Sequence, residues 1–282
     1  AMARLALVVG GTSGIGHGLA LRLASLGHDV TIAGRSVSAG QAIVDEMKAI
    51  SPNNTYKFEQ VDGFDLQNCA NFAKSQANNK IDYLFMTHGM ATIQGFTPTK
   101  DGFDQKLQLH SYSRFLIAQI LSPTLARSDD GRVMSVLSGG IHGAYKGYKT
   151  DPSLAKGYSI KNAADAAGFY NDCYFDCLAA ANPNVAYSHA CPGLVSTKWG
   201  SEMPVYLRAV IRPLQMILGK SKEKCAEKLT TNFFAMEKGR MSLVDENGGI
   251  GEKGGKAKLT AMHEEAKEDV FKYFNDCLRK FA

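Results

Sequence analysis

"RLALVVGGTSGIGHGLALRLASLG", residues 4–27, runs from an apolar, β-branched segment through a glycine turn into a stretch with apolar residues on one helical face. The turn reads Gly10-Gly11-Thr12-Ser13-Gly14-Ile15-Gly16. Glycines let the chain bend sharply and bring backbone N–H groups close to a pyrophosphate, which the N-terminus of the following helix favours electrostatically. A glycine loop alone is a weak signal; its place between a strand and a helix makes it a strong one. Gly10, Thr12, Ser13, Gly14, Ile15 and Gly16 are therefore the first cofactor-binding candidates.

Outward from this loop, "DVTIAG", "TYKFEQV", "IDYLFMT", "GRVMSVLS" and "NVAYSHACP" read as further strands, most of them separated by amphipathic stretches of helical length. Such alternation implies a parallel sheet covered on both faces: a doubly wound, Rossmann-like α/β fold. The 282 residues, 45% of them hydrophobic, suit one domain over 1–282. "MSLVDENGG" reads as a last strand and turn, and "LTAMHEEAKEDVFKYFNDCLRKF" as a terminal amphipathic helix. The glycines of "NGGIGEKGGK" lack a strand-then-helix setting and read as a solvated turn. The stretch "PVYLRAVIRPLQMIL", 204–218, has helical apolar spacing with a proline interruption. It reads either as helices packed on the sheet edge or, within residues 200–225, as a substrate lid with an apolar inner wall. Attachment of the same stretch to a membrane surface is the weaker alternative.

Composition narrows the partners. The net charge of +5 comes from Lys and Arg scattered among a similar number of acids, which argues against nucleic acid. Six cysteines fall at no metal-ligand spacing and read as reduced thiols, so no metal is expected. No run approaches the roughly 20 apolar residues of a membrane span, and no leader is recognised before the first strand. A cytoplasmic protein acting on a small molecule is the resulting expectation.

The end of the second strand discriminates between nicotinamide cofactors. An acid there would accept hydrogen bonds from the adenosine ribose, whereas an arginine pairs with a 2′-phosphate. The strand ends in Gly34-Arg35-Ser36, which favours NADP(H) over NAD(H). Asp62, after the third strand, is placed to meet the adenine, with Asp65 as a competitor.

The chain resembles the short-chain dehydrogenase/reductase family over nearly its whole length. The pieces occur in order: the glycine loop; Thr87-His88-Gly89 in place of the usual Asn-Ala-Gly; a strand closing at Ser138; a helix beginning near Tyr158; and Pro192-Gly193-Leu194-Val195-Ser196-Thr197, like the family's Pro-Gly-x-x-x-Thr. The resemblance implies that Thr87, His88, Gly89, Pro192, Gly193, Val195 and Thr197 join the cofactor site. It also implies a Ser, Tyr, Lys and Asn set beside the nicotinamide. Ser138 would orient a carbonyl, Tyr158 would exchange the proton, and Lys161 would lower the tyrosine pKa and hold the ribose. The asparagine position holds His110, whose imidazole either replaces a water relay or simply packs in its helix. Family members are often oligomeric, so a homo-oligomer is a further possibility.

The departure is in spacing: the family places the lysine four residues after the tyrosine, and here it follows by three. Neighbours three or four apart share a helical face, so Lys161 is expected to reach the ribose. Tyr145 and Lys149 keep the literal spacing but lie in a glycine-containing loop too close to Ser138. His88, His142 and His189 are weaker candidates. The implied activity is interconversion of a carbonyl and an alcohol on a fairly apolar substrate. The alternative is a cofactor-binding module, or a non-redox isomerase, that has lost the redox step.

Overall fold

The computed structural model describes residues 3–197, 200–251 and 259–282. Among the described residues, seven parallel strands form one sheet in the order β3-β2-β1-β4-β5-β6-β7. They are β1 (Leu5–Val9), β2 (Asp29–Gly34), β3 (Tyr56–Gln60), β4 (Tyr83–Met86), β5 (Arg132–Val136), β6 (Ala186–Ala190) and β7 (Met241–Val244). Every strand read from the sequence is present. β4, β5 and β6 are buried at every position, as continuous apolar runs in a sheet covered on both faces should be.

On one face lie α1 (Gly14–Ser25), α2 (Val37–Ile50) and α8 (Lys222–Thr230), packed around Leu19, Ile43, Phe85 and Leu229. On the other lie α3 (Leu66–Gln76), α5 (Ser113–Ala126), α6 (Ile160–Ala181) and α9 (Ala261–Leu278), which meet at Phe115, Tyr174 and Phe274. A short α4 (Gln105–Leu107) runs into α5 through a π-helical turn at Gln108–Tyr112. The strand order reverses between β1 and β4, and the carboxyl ends of those strands open a crevice at the switch point.

α7 (Val205–Leu218) forms where helical spacing predicts it, with Pro213 inside it. Its inner wall is mixed rather than apolar, with Leu207 and Ile211 half-buried beside polar side chains. Gln215 is its buried residue, Arg208 and Arg212 are half-buried, and Val205, Tyr206, Val210, Leu214, Met216 and Ile217 point to solvent. The glycine-rich turn expected at 247–256 lies in large part outside the described residues; Asp245 to Gly249 closes a hydrogen-bonded turn.

Candidate functional site

β1 ends at Val9, and Gly10 turns the chain with φ +87°, a conformation that favours glycine. Its amide and that of Gly11 bond to the Ala33 carbonyl at 2.8 and 3.1 Å, which fixes the loop against β2. A Cβ on Gly16 would stand 2.2 Å from the Gly10 carbonyl oxygen, so α1 can approach the loop only with glycine there. Thr87 closes the far side: its amide donates to Val9 O at 2.8 Å and its hydroxyl reaches Gly10 O at 3.2 Å.

A cleft of about 310 Å³ opens over this loop. Gly10, Thr12, Ser13, Gly14, Ile15, Arg35, Thr87, His88, Gly89 and Thr197 line it, together with Met90 and residues 200–202. Ser13 is the N-cap of α1, but its side chain makes no capping bond, and no acid stands in the first turn. The first amides of α1 thus face the cleft without a capping side chain, and the cradle fits a dinucleotide pyrophosphate.

Arg35 is exposed at the cleft rim, its guanidinium 5.3 Å from the Phe64 ring. Ser36 caps α2, accepting from the Ala39 amide at 3.3 Å. Asp62 lies between Val61 and Gly63, both of which line the cleft, and accepts from the Phe64 amide at 3.0 Å. Its competitor Asp65 is committed elsewhere: it caps α3 through the Asn68 amide and pairs with Lys100. Gly16 supports the loop from behind. Pro192, Gly193 and Val195 follow β6 without lining the cleft, although Val195 bonds through its carbonyl to the Thr197 amide at 2.9 Å.

Tyr158 and Lys161 are not brought together. Ser159 is the N-cap of α6, accepting from the Asn162 amide at 3.0 Å, so Tyr158 stands before the helix and the three-apart rule does not apply to it. Lys161, in the first turn, pairs with Asp165 one turn on, and its side chain is 80% exposed. A different lysine holds the tyrosine. Lys106 of α4, itself buried, donates to the Tyr158 hydroxyl at 2.5 Å and to Gln94 O at 2.8 Å. Burial, with the Asp104 carboxylate, pushes the Tyr158 phenol up to about 12. Burial also lowers the Lys106 pKa, with Asp104 acting against it. The phenol is therefore protonated at neutral pH and carries a donor on its oxygen.

Ser138 sits just past β5, and its amide donates to His189 Nε2 at 3.1 Å. That bond fixes the tautomer: His189 Nδ1 carries the proton and donates to Asp172 Oδ1. On the other carboxylate oxygen, His142 Nε2 lies at 2.8 Å while its Nδ1 faces the Gly143 carbonyl at 2.9 Å. Two acceptors require two protons, so His142 is an imidazolium paired with Asp172. Burial opposes that charge, yet the hydrogen bond and charge of Asp172 outweigh it and the His142 pKa is raised. His263 Nε2 comes within 3.5 Å of Asp172 Oδ2, and the Thr260 amide donates to its Nδ1 at 3.0 Å. The hydrogen bonds of His142 and His189 to the two carboxylate oxygens make the cluster a proton-bridged one, with His263 packed alongside. Across from Ser138 stands Gly168, where a Cβ would meet the Ser138 hydroxyl at 2.5 Å.

His110 lies in the π-helical turn and accepts from the Met90 amide at 3.1 Å, its ring packed behind Gly89. Burial, then the charges of Arg114 and Lys106, push its pKa down to about 3, so it is neutral. Its carbonyl accepts from Asn171 Nδ2 at 2.7 Å. Arg114, fully buried, bridges the ends of β4 and β5 by donating to His88 O, Ser135 Oγ and Val136 O. Burial lowers its pKa to about 9. Sequence reasoning missed Arg114, Lys106 and Asp172, none of which belongs to a local motif.

Residues 4–150, just over half the chain, match the family described as short chain dehydrogenase. An oxidoreductase of Emericella nidulans is 29% identical over 249 residues, 83% of this chain and 74% of that protein. The mouse polyprenol dehydrogenase is 31% identical over 146 residues, 51% of this chain and 44% of that protein. Among solved structures, an archaeal alcohol dehydrogenase from Thermococcus sibiricus, complexed with 5-hydroxy-NADP, superposes with a TM-score of 0.65 at 15% identity, covering 86% of this chain and 96% of that one. With a seven-stranded doubly wound sheet and a glycine cradle at its switch point, this chain belongs to the short-chain dehydrogenase family and is an oxidoreductase of that family.

Proposed function

We propose that the chain is an NADP(H)-dependent oxidoreductase that interconverts a carbonyl and an alcohol on a small, fairly apolar substrate. The observation that carries this reading is the pairing of an uncapped glycine cradle with Arg35 at the end of β2, where an acid for the ribose hydroxyls is absent. Arg35 would meet the 2′-phosphate, and Ser36 stands beside it at the start of α2. Gly10, Thr12, Ser13, Gly14 and Ile15 would hold the pyrophosphate, and Asp62 the adenine. Thr87, His88, Gly89 and Thr197 would flank the nicotinamide half. The nicotinamide, when bound, supplies or accepts the hydride. The likeness to a relative named polyprenol dehydrogenase, and to a structure complexed with 5-hydroxy-NADP, supports both halves of the proposal.

Tyr158 is the proton-exchanging residue in this reading, and Lys106 is its ammonium partner in place of Lys161. A phenol protonated at neutral pH is the form that gives a proton to a nascent alkoxide, which suits the reductive direction. Ser138 orients the substrate oxygen, and His189 and Asp172 position Ser138 through its amide. The test is NADPH oxidation across a panel of ketones, aldehydes and quinones. Turnover that disappears in Tyr158→Phe supports the assignment, and undiminished turnover in that variant overturns it.

One observation favours a second reading. Neither Tyr158 nor Ser138 lines the cleft. A binding module that holds the cofactor without redox chemistry would show a NADPH-dependent thermal shift and no oxidation on any member of the panel.

A further inference from the structure

α7 turns most of its large apolar side chains to solvent. Val205, Tyr206, Val210, Leu214, Met216 and Ile217 are 48 to 78% exposed, and they spread over about half its circumference at 100° per residue. The side toward the protein is mixed: Leu207 and Ile211 are half-buried there beside Arg208 and Arg212, Gln215 is 2% exposed, and Arg212 donates to the Thr197 carbonyl at 2.6 Å. A helix packed only on its own domain shows the opposite arrangement. Contiguous apolar surface of this kind marks a contact with a partner or a lipid.

We propose that the outer face of α7 lies on the surface of an anionic lipid bilayer, with the helix parallel to the membrane plane. Charge supports this occupant: Lys220, Lys222 and Lys224, just past the C-terminal end of α7, have one acid, Glu223, among them, while Arg208 and Arg212 face the protein. The three lysines stand immediately beyond the apolar face; Lys222 pairs with Glu223 and Lys224 with Glu227 in solvent-screened pairs that lipid headgroups would replace as the face enters the acyl boundary. Geometry disfavours a second copy of the chain. A 14-residue helix is about 21 Å long and about 10 Å wide. Its footprint of about 200 Å² falls far short of the roughly 800 Å² per partner of a stable interface. Spanning is excluded for α7 by length, because about 20 residues are needed. Residues 200–202, which line the cleft, lead directly into α7, so docking would set the mouth of the cleft at the bilayer.

The test is flotation with vesicles of phosphatidylcholine and phosphatidylserine in equal parts, read on protein mass and therefore independent of any redox activity. The wild-type chain is expected in the floating fraction, with roughly tenfold less of Met216→Glu/Ile217→Glu there and weaker flotation on phosphatidylcholine alone. Val210→Glu is a second variant on the same face, and an unchanged NADPH thermal shift shows that each variant is folded. Three results overturn the proposal: no flotation of the wild type, equal flotation of the folded variants, or a dimer in sedimentation velocity that Met216→Glu/Ile217→Glu dissociates while the wild type stays off the vesicles.

Discussion

The Lys106 ammonium donates to the Tyr158 hydroxyl across 2.5 Å, although 52 residues separate the two in sequence. Lys161, three residues after the same tyrosine, faces away and pairs with Asp165. If the proton-exchange role belongs to Tyr158, the partner that tunes it is Lys106. Lys106→Met and Tyr158→Phe should each lower kcat by about 100-fold or more, the usual range for losing a positioned acid or its support. Lys161→Met, which removes an exposed pair, should leave kcat within about twofold. Steady-state NADPH oxidation with the three variants side by side distinguishes these outcomes.

Arg35 at the rim should set cofactor choice. Replacing it with Asp removes a charge-assisted pair worth about 1.5–3 kcal/mol and adds repulsion toward the 2′-phosphate. NADPH affinity should fall by about 10-fold to 100-fold while NADH affinity holds or rises. Titration calorimetry with both nucleotides measures the ratio.

Gly16 permits the close approach of α1 to the loop. In Gly16→Ala the methyl would stand 2.2 Å from the Gly10 carbonyl oxygen, forcing backbone movement that costs about 1–3 kcal/mol. The expected result is a lower Tm, read by calorimetry, together with loss of the NADPH-dependent shift.

The buried histidines should bend the pH–stability curve in both directions. The folded pKa of His142 is raised, so the stability its pair with Asp172 supplies is complete below the unfolded value of about 6.5 and is lost as pH rises through the folded value. His110 is pushed down to about 3 by burial, so its contribution is present above about 6.5 and is lost as pH falls from there toward 3. Urea denaturation across pH should show a maximum between these arms. His142→Gln should flatten the alkaline arm and cost about 3 kcal/mol near pH 6, the scale for removing one partner of a buried ion pair.

The fold was legible because each strand is an apolar run closed by its own turn residues, and because the glycine loop declares the strand–turn–helix unit directly. The cradle followed for the same local reason. The catalytic half did not. Reading Tyr158 and Lys161 as one helical face required the helix to start at or before the tyrosine, yet Ser159 with Asn162 three residues on marks the N-cap one position later. Lys106, Arg114 and Asp172 act through contacts made by the tertiary fold, and no spacing announces such contacts. For α7 the period gave the helix but not the direction of its faces. Arg208, Arg212 and Gln215 form a polar stripe at spacings of four and three, and it packs inward in place of the expected apolar wall.

In the proposed reading, the glycine cradle and Arg35 together bind NADP(H) in the cleft. The most direct test is the thermal shift of the wild-type chain with NADPH and with NADH at equal concentration. At about 100 times Kd a ligand bound only by the folded state stabilises it by about 2.7 kcal/mol, which raises Tm by about 4–5 °C for a chain of this size. A shift of that order with NADPH and a clearly smaller one with NADH is the predicted result. Equal shifts, a larger shift with NADH, or none with either would show that the cradle and Arg35 do not select NADP(H).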